Sequence, residues 1–487
     1  MPNILAYLML ALWPLICLWM FRRMPIERAL IWSVLGGYLV LPPDTYFHLP
    51  ALPVDKFAMA SIVPFMICVF VMKRRIPLLP ESAPLRVLSV VFVFSIIPTI
   101  MNNGEQVFLV HNPFGAALPP LPGLGYKDLV SLMIGQAVTL LPFLMAREIL
   151  ASPAGLRELL VALVVAGVAY SLPALVEIRL SPQINVWVYG FFQHSFEQMM
   201  RSGGFRPIVF LPHGLWAALF FFTALLSAAA LTRDAPELRQ RYRMVTGYLG
   251  VILVLCKSYA ALGYGLLLTP FALLGSPKLQ LRIAILLATL AFTYPAMRAA
   301  QLVPLDGIVS QVAQLNVDRS RSLDFRFINE ELLMERARQK ALFGWGSWGR
   351  GLIYDPETGE NESVTDSRWI IVFGNYGWVG YVAETGLLAL PLLLLGWHRR
   401  RHPGAMSPYA APVAIIVAAT LVDMTVNATL VPFTWLCAGA VLGHAERIAA
   451  RTANEPVPDG SPPDAENPAG AAEPATRRRA KRRRTVL

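Results

Sequence analysis

The stretch that decides the fold is residues 208–231, which read IVFLPHGLWAALFFFTALLSAAAL and contain no acid, lysine or arginine. In the hydrocarbon core of a membrane every backbone amide must be satisfied within its own segment, so apolar runs approaching about 20 residues cross as helices. We therefore predict a transmembrane helix here. Similar runs recur along most of the chain, and the same argument applies to them.

The composition of the whole chain agrees with a membrane protein. Of the 487 residues, 55% are hydrophobic and 15% are charged, whereas soluble domains carry roughly 25% charged residues. Residues 1–20 are uncharged and apolar runs continue to Gly443, which favours a retained first helix over a cleaved signal peptide. The four cysteines lack the spacing of a disulfide framework or zinc site, so we interpret them as packing residues.

Thirteen transmembrane helices are predicted from these runs, although twelve or fourteen are compatible with the pattern because segment ends shift by several residues. The predicted segments are 4–21, 27–42, 57–72, 86–101, 129–146, 158–175, 208–231, 244–257, 259–275, 281–297, 369–396, 409–426 and 429–445. The predicted fold class is an all-α polytopic membrane protein, with one transmembrane domain over residues 1–445.

The distribution of basic residues predicts the orientation of these helices. Lysine and arginine concentrate in every second connection, as is typical of cytoplasmic loops. These connections contain the basic residues within 22–28, 73–75, 147–157, 233–243, 278–282 and 399–401. With thirteen helices, the N-terminus is predicted to be periplasmic and the C-terminus cytoplasmic, in a bacterial inner membrane. The net charge of +11 therefore reflects topology rather than nucleic-acid binding.

Residues 446–487 are predicted to be a basic cytoplasmic tail. Residues 452–476 contain almost no large apolar side chain and cannot bury a core, so we expect them to be disordered. The basic residues within 477–484 are interpreted as a topology anchor, and attraction to anionic lipid head groups is the alternative.

The predicted outer connections 177–207 and 299–368 carry arginines, although basic residues normally concentrate in cytoplasmic loops. These are Arg179, Arg201, Arg206, Arg319, Arg321, Arg326, Arg336, Arg338, Arg350 and Arg368. A guanidinium forks onto phosphate oxygens, so the arginines indicate an anion site. The alternative is that they solvate a loop, because residues 299–368 contain 8 Lys and Arg against 11 Asp and Glu.

The connection 299–368 also contains a predicted amphipathic helix, residues 323–342. We expect Phe327, Leu332, Leu333, Ala337, Ala341 and Leu342 on its apolar side. The helix is followed by the turn GWGSWG at residues 344–349, a combination of glycine and tryptophan that is common at membrane interfaces. We interpret this connection as a lid on the outer leaflet.

Three motifs in this part of the chain resemble the O-antigen ligase and polymerase superfamily. The first is RSGGFRP at 201–207, leading through Pro212, His213 and Gly214 into a helix. The second is Arg326, 18 residues before Gly344. The third is Asp366-Ser367, nine intervening residues, Gly377, two more, and Gly380. Ligases carry a proposed catalytic histidine where this chain has Asp366, so the resemblance favours a polymerase over a ligase.

The resemblance implies a GT-C-like fold and a metal-free glycosyl transfer at the periplasmic face. An acceptor sugar hydroxyl attacks the anomeric carbon of a glycan carried on undecaprenyl pyrophosphate, which leaves. We expect Arg206 and Arg326 to hold the pyrophosphate, helped by Arg201 and Lys257, with Asp366 as the base. Asp366 is equally compatible with a helix cap, for which Ser367 is the alternative. The further substrate-binding candidates are His213, Arg319, Arg321 and Asp423.

Alternatives remain for two of these residues and for the protein class. His213 is also compatible with a capping or packing role, and Asp423, a costly acid in an apolar segment, with pairing to an arginine. No cofactor is expected. The expected partners are the lipid-linked glycan, membrane lipids and a chain-length regulator, without nucleic acid. The alternative functions are an O-antigen ligase acting on lipid A core or protein, a flippase for the same glycans, and an assembly scaffold.

Overall fold

The computed structural model describes residues 1–49, 52–109, 119–201, 203–234 and 236–453, with the side chains of 315, 318, 319, 452 and 453 excepted. The first nine helices are α1 Ile4–Arg23, α2 Ile26–Val40, α3 Lys56–Met66, α4 Ala83–Phe94, α5 Ile96–Met101, α6 Tyr126–Ile149, α7 Pro153–Arg179, α8 Ile184–Tyr189 and α9 Gly214–Leu231. They are followed by α10 Pro236–Leu255, α11 Tyr259–Leu274, α12 Pro277–Ala299, α13 Leu305–Leu315, α14 Val317–Arg338, α15 Arg368–Arg401, α16 Ala410–Asp423 and α17 Pro432–Ala453.

The described β-structure is limited to short antiparallel pairs. Strand β1 (Phe47–His48) pairs with β2 (Pro53–Val54), and β3 (Met200–Arg201) pairs with β4 (Gly204–Phe205). The chain is therefore helical, which confirms the all-α part of the prediction.

Within the described residues, seven helices are long and apolar enough to cross a membrane. They are Ile4–Arg23, Ala83–Met101, Tyr126–Ile149, Pro153–Arg179, Gly214–Leu231, Pro277–Ala299 and Arg368–Arg401. Shorter apolar helices are Lys56–Val71, Tyr259–Leu274 and Ala410–Asp423. This composition is that of a multi-pass membrane protein. Each predicted segment overlaps a helix, but the thirteen-span topology stays a prediction.

Helix α9 forms the centre of the bundle. It packs against α7, α10, α11 and α16, and its side chains from Ala217 to Leu231 are all buried. In contrast, Leu266 and Leu267 on α11 are each 68% exposed, as expected of a surface that faces lipid. The apolar stretch 208–231 thus includes the core helix, although α9 begins only at Gly214. Residues 208–213 form turns instead, because Val209 has a left-handed φ of 52° and His213 caps the helix.

Helix α15 is kinked at Gly377, where φ is 64° and ψ is −165°. At the kink the turn after α14 docks on α15: the amides of Trp345 and Gly346 donate to the carbonyls of Gly374 and Asn375 at 2.8 and 2.9 Å. A Cβ at Gly377 would lie 2.3 Å from the carbonyl carbon of Leu342. The predicted segment 369–396 therefore lies within one helix, Arg368–Arg401, and the kink at Gly377 is a feature that the prediction did not include.

The predicted amphipathic helix 323–342 exists as α14, but the structure shifts its bounds and its buried face. Leu332 and Leu342 are exposed, whereas Leu333, Met334 and Ala337 pack against α15. A buried carboxylate adds to this packing: Glu330 accepts from the indole N–H of Trp369, and Arg298 of α12 lies 3.5 Å from it. The face that binds α15 is therefore partly polar, which a purely apolar pattern does not show. The sequence pattern also missed α13.

Helix α17 continues to Ala453, past the predicted end at 445. The remainder of the predicted tail, residues 454–487, lies outside the described residues.

Candidate anion-binding site

A cavity of about 540 Å³ opens at the end of the bundle where α9, α11 and α15 begin and where α16 ends. Three arginines line it, Arg201, Arg206 and Arg326, and we call it the arginine cavity. Its other polar lining residues are His194, Gln198, His213, Ser258, Tyr259, Ser322, Thr365, Asp366, Asn427 and Thr429. The structure thus brings together residues from five parts of the sequence, including five residues that we predicted.

The hairpin β3–β4 positions the first two arginines. The amide of Arg206 donates to the carbonyl of Met199 at 2.8 Å, and its guanidinium donates to the carbonyl of Lys257 at 3.1 Å. Lys257 in turn donates its ammonium to the carbonyl of Arg201 at 3.0 Å. Lys257 therefore braces the hairpin and is not among the residues that line the cavity. We predicted instead that it assists the pyrophosphate directly.

Two glycines of the first motif provide space for these contacts. A Cβ at Gly214 would lie 2.2 Å from Cδ of Arg206, so this position must lack a side chain for Arg206 to adopt its place. A Cβ at Gly204 would lie 2.4 Å from Nζ of Lys257. Glycine is therefore required by packing at Gly214, whereas a side chain at Gly204 would displace the end of the flexible Lys257 side chain.

A buried carboxylate anchors the segment after Arg206. Glu177, at the end of α7, accepts from the amides of Ile208 and Val209 at 2.7 and 2.8 Å, and from that of Ile184 at 3.1 Å. Three charge-assisted hydrogen bonds hold a loop in one conformation more firmly than neutral ones. Glu177 thereby connects the position of Arg206 to the helical core.

His213 is both a helix cap and a lining residue. Its Nδ1 accepts from the amide of Leu215 at 2.9 Å, so its Nε2 carries the proton and faces Oε1 of Gln198 at 3.3 Å. Burial, the nearby His194 and the cavity arginines lower the pKa of His213 to about 3. The imidazole is therefore neutral at physiological pH, and the positive charge of the cavity comes from its arginines.

Arg326 reaches the cavity from α14 and is held by the linker between α16 and α17. Its Nη1 donates to the carbonyl of Val426 at 3.1 Å and to Oδ1 of Asn427 at 3.2 Å. Its Nε lies 3.3 Å from Oδ2 of Asp366. The cap of α15 is Ser367, without a side-chain hydrogen bond, so Asp366 is an ion-pair partner and not the cap.

Asp423, at the end of α16, holds this linker through hydrogen bonds. Its carboxylate is buried and accepts from Nδ2 of Asn427 at 2.9 Å and from the hydroxyl of Thr429 at 2.6 Å. It does not line the cavity but binds Asn427 and Thr429, which do. Its predicted contact with substrate stays a prediction. Asn427, which sequence reasoning missed, is the residue that connects Asp423 to Arg326.

The last two predicted arginines, Arg319 and Arg321, both lie on α14. Arg321 is exposed and is not a lining residue. The side chain of Arg319 lies outside the described residues. The predicted location of an arginine on an outer loop therefore does not distinguish arginines that line the cavity from exposed ones.

The electrostatics of the arginine cavity favour a multiply charged anion. Three guanidiniums face one carboxylate, and an arginine fork can hold two phosphate oxygens at once. Among the described residues, no group of three or more His, Cys, Asp or Glu side chains could hold a metal ion.

No protein-family model matches the chain, and a search of curated proteins gives no significant match. The resemblance to the O-antigen ligase and polymerase superfamily therefore stays a prediction that rests on its three motifs.

Proposed function

We propose that this protein is a membrane glycosyltransferase that transfers a glycan from a polyprenyl pyrophosphate to a sugar hydroxyl, as a polysaccharide polymerase does. The observation that carries the proposal is the meeting of Arg201, Arg206, Arg326 and Asp366 in one cavity. A pyrophosphate is the anion that three converging arginines suit, and a carboxylate beside them is a base for the acceptor.

The proposed reaction needs positioning, charge stabilisation and one proton transfer. The acceptor oxygen forms a bond to the anomeric carbon as the bond from that carbon to the pyrophosphate oxygen breaks. The pyrophosphate keeps the electron pair, and the arginines stabilise its growing charge. The acceptor proton passes to Asp366 and then to solvent.

The ion pair between Arg326 and Asp366 fits this order of events. A pyrophosphate bound at Arg326 competes with Asp366 for the same guanidinium. Once Arg326 binds phosphate oxygens, the Asp366 carboxylate is free to accept a proton. Donor binding would thus switch on the base.

The experiment uses purified protein with a lipid-linked oligosaccharide as both donor and acceptor. We expect Arg206→Ala and Arg326→Ala to weaken donor binding, and Asp366→Asn to lower the turnover number with little change in KM. Arg321→Ala, an exposed arginine on the helix that carries Arg326, is the matched control. Full polymer formation by all three site variants would overturn the proposal.

The same experiment separates the polymerase from its alternatives. A ligase would transfer the glycan to lipid A core or protein and form no polymer from lipid-linked repeats alone. A flippase would move the donor between leaflets without consuming it.

A further inference from the structure

A second cavity, of about 300 Å³, lies beside the arginine cavity. The two are separated by the linker between α16 and α17: Thr429 lines the first, and Leu430 and Val431 line the second. The polar and aromatic residues of the second cavity are Asp55, Phe57, Ser61, Thr139, Arg368 and Trp435. Because Thr429 and Leu430 are consecutive residues, ligands in the two cavities would both lie against the linker between α16 and α17.

The second cavity is lined by one carboxylate and one guanidinium, Asp55 and Arg368, and is therefore closer to neutral than the first. Arg368 is neutralised by Glu384, to which its Nε and Nη2 donate at 2.8 and 2.5 Å. Asp55 adds a second carboxylate. The adjacent Lys56 is buried, donates to the carbonyl of Phe210 and does not line the cavity. Among the described lining residues the cation is Arg368, which is already paired with Glu384, and the Asp55 carboxylate repels anions, so the cavity disfavours a phosphate.

The remaining polar groups are mainly hydrogen-bond acceptors. The Ser61 hydroxyl donates to the carbonyl of Phe57 at 2.8 Å, and the Thr139 hydroxyl donates to that of Gly135 at 2.9 Å. Each hydroxyl proton is therefore used, and the oxygen lone pairs remain to accept. Asp55 caps α3 through Oδ1, which leaves Oδ2 to accept as well.

The rest of the wall is apolar and aromatic. Phe57 and Trp435 lie among the prolines Pro53 and Pro432. Acceptors for several O–H groups, one guanidinium and aromatic rings together suit a polyhydroxylated ring with apolar C–H faces. The volume is at the lower end of that of ligand sites.

We propose that the second cavity binds an uncharged sugar of the acceptor glycan. This inference rests on the proposed function, because it names the acceptor subsite of that reaction. It places an anionic donor group and a neutral acceptor ring in separate cavities, one positively charged and one close to neutral, which would keep the anionic donor out of the acceptor site.

The shared linker gives the two sites a physical connection. From the first cavity, Arg326 binds the linker at Val426 and Asn427. From the second, the amide of Arg368 donates to the carbonyls of Met424 and Asn427, each at 3.1 Å. Asn427 is therefore held from both sides.

The test measures the thermal stability of the purified full chain with two probes. One probe is inorganic pyrophosphate, and the other is the lipid-free oligosaccharide that mild acid releases from the host's own polyprenyl-linked pool. A ligand that binds the folded state raises Tm. We expect Thr139→Trp to fill the second cavity, to weaken oligosaccharide binding at least tenfold and to leave pyrophosphate binding unchanged. Arg326→Ala should do the reverse.

Ile134→Trp is the matched control, because Ile134 lies on the same helix, is 36% exposed and does not line the cavity. If Thr139→Trp does not fold, Ser61→Phe replaces it, with the exposed Met66 of α3 changed to Phe as its control. Oligosaccharide binding that survives filling of the cavity, or no binding by the unaltered protein, would overturn the inference. Pyrophosphate binding that survives Arg326→Ala would instead count against the proposed function.

Discussion

At the scale of single residues, the arginine cavity depends on side chains that do not line it. Glu177 holds the backbone after Arg206, Lys257 braces the hairpin, and Asp423 acts on Arg326 through Asn427. A guanidinium has many rotamers, so a site for a rigid anion requires such contacts to hold it in one of them. Two predictions test the roles of single residues at the cavity.

Gly214→Ala should weaken the binding of inorganic pyrophosphate at least tenfold. Its new Cβ would lie 2.2 Å from Cδ of Arg206, and a flexible side chain moves before a helix does. Titration calorimetry measures the affinity. Gly250→Ala is the control, because a Cβ there has open space on a helix. Equal affinity in both variants would contradict the assignment of Arg206 to the anion.

Acid should destabilise the protein partly through His213. The pKa of His213 falls from 6.5 to about 3 in the folded state, so the unfolded chain binds a proton that the folded one does not. Stability is therefore lost as pH falls below about 6.5. We expect Tm to fall less between pH 7 and pH 5 in His213→Asn, which keeps a capping side chain. An identical fall in both proteins would exclude a buried, neutral His213.

At the scale of elements, the contact between the kink of α15 and the turn after α14 sets where Arg326 and Asp366 meet. Arg326 lies on α14, and Asp366 immediately precedes α15 and its cap. The backbone hydrogen bonds at Gly374 and Asn375 fix the two helices to each other, and Glu330 adds a polar contact one helical turn from Arg326. The cavity is thus a product of helix docking.

Gly377→Ala should disrupt this docking. Alanine is strained at a φ of 64°, and its Cβ would lie 2.3 Å from the Leu342 carbonyl carbon. We expect a loss of about 1–3 kcal/mol from the backbone conformation alone, and faster proteolysis of the connection 299–368. Gly374→Ala is the control, because a Cβ there meets nothing within 4 Å. Equal Tm values and equal cleavage rates in the two variants would show that docking of the turn on α15 does not depend on glycine at 377.

At the scale of the whole molecule, the proposed function requires both cavities to face the periplasm. The N-termini of α9, α11 and α15 lie at the cavity end of the bundle, which is the end that the distribution of arginine and lysine assigns to the outside. A lipid-linked donor would enter from the outer leaflet at this end.

Labelling with a membrane-impermeant maleimide tests this orientation. The native cysteines Cys17, Cys68, Cys256 and Cys437 are all buried, so the background should be low. In cells with a permeabilised outer membrane, Glu362→Cys on the connection 299–368 should be labelled. Arg22→Cys should react only after lysis. The opposite pattern would invert the topology and place the arginine cavity in the cytoplasm.

The sequence by itself determined that the chain is helical and built for a membrane, because backbone amides in hydrocarbon leave no alternative to helices over long apolar runs. Its motifs also predicted Arg201, Arg206, Arg326, His213 and Asp366, all of which line one cavity.

Only the tertiary structure decided which polar residues line the cavity. It placed Asp423, Lys257 and Arg321 outside the lining, added Asn427 to it, and revealed a second cavity of different charge. The physical reason is that periodicity and motif spacing describe the residues of one helix or loop at a time. The cavity instead forms where the ends of several helices, distant in sequence, come together.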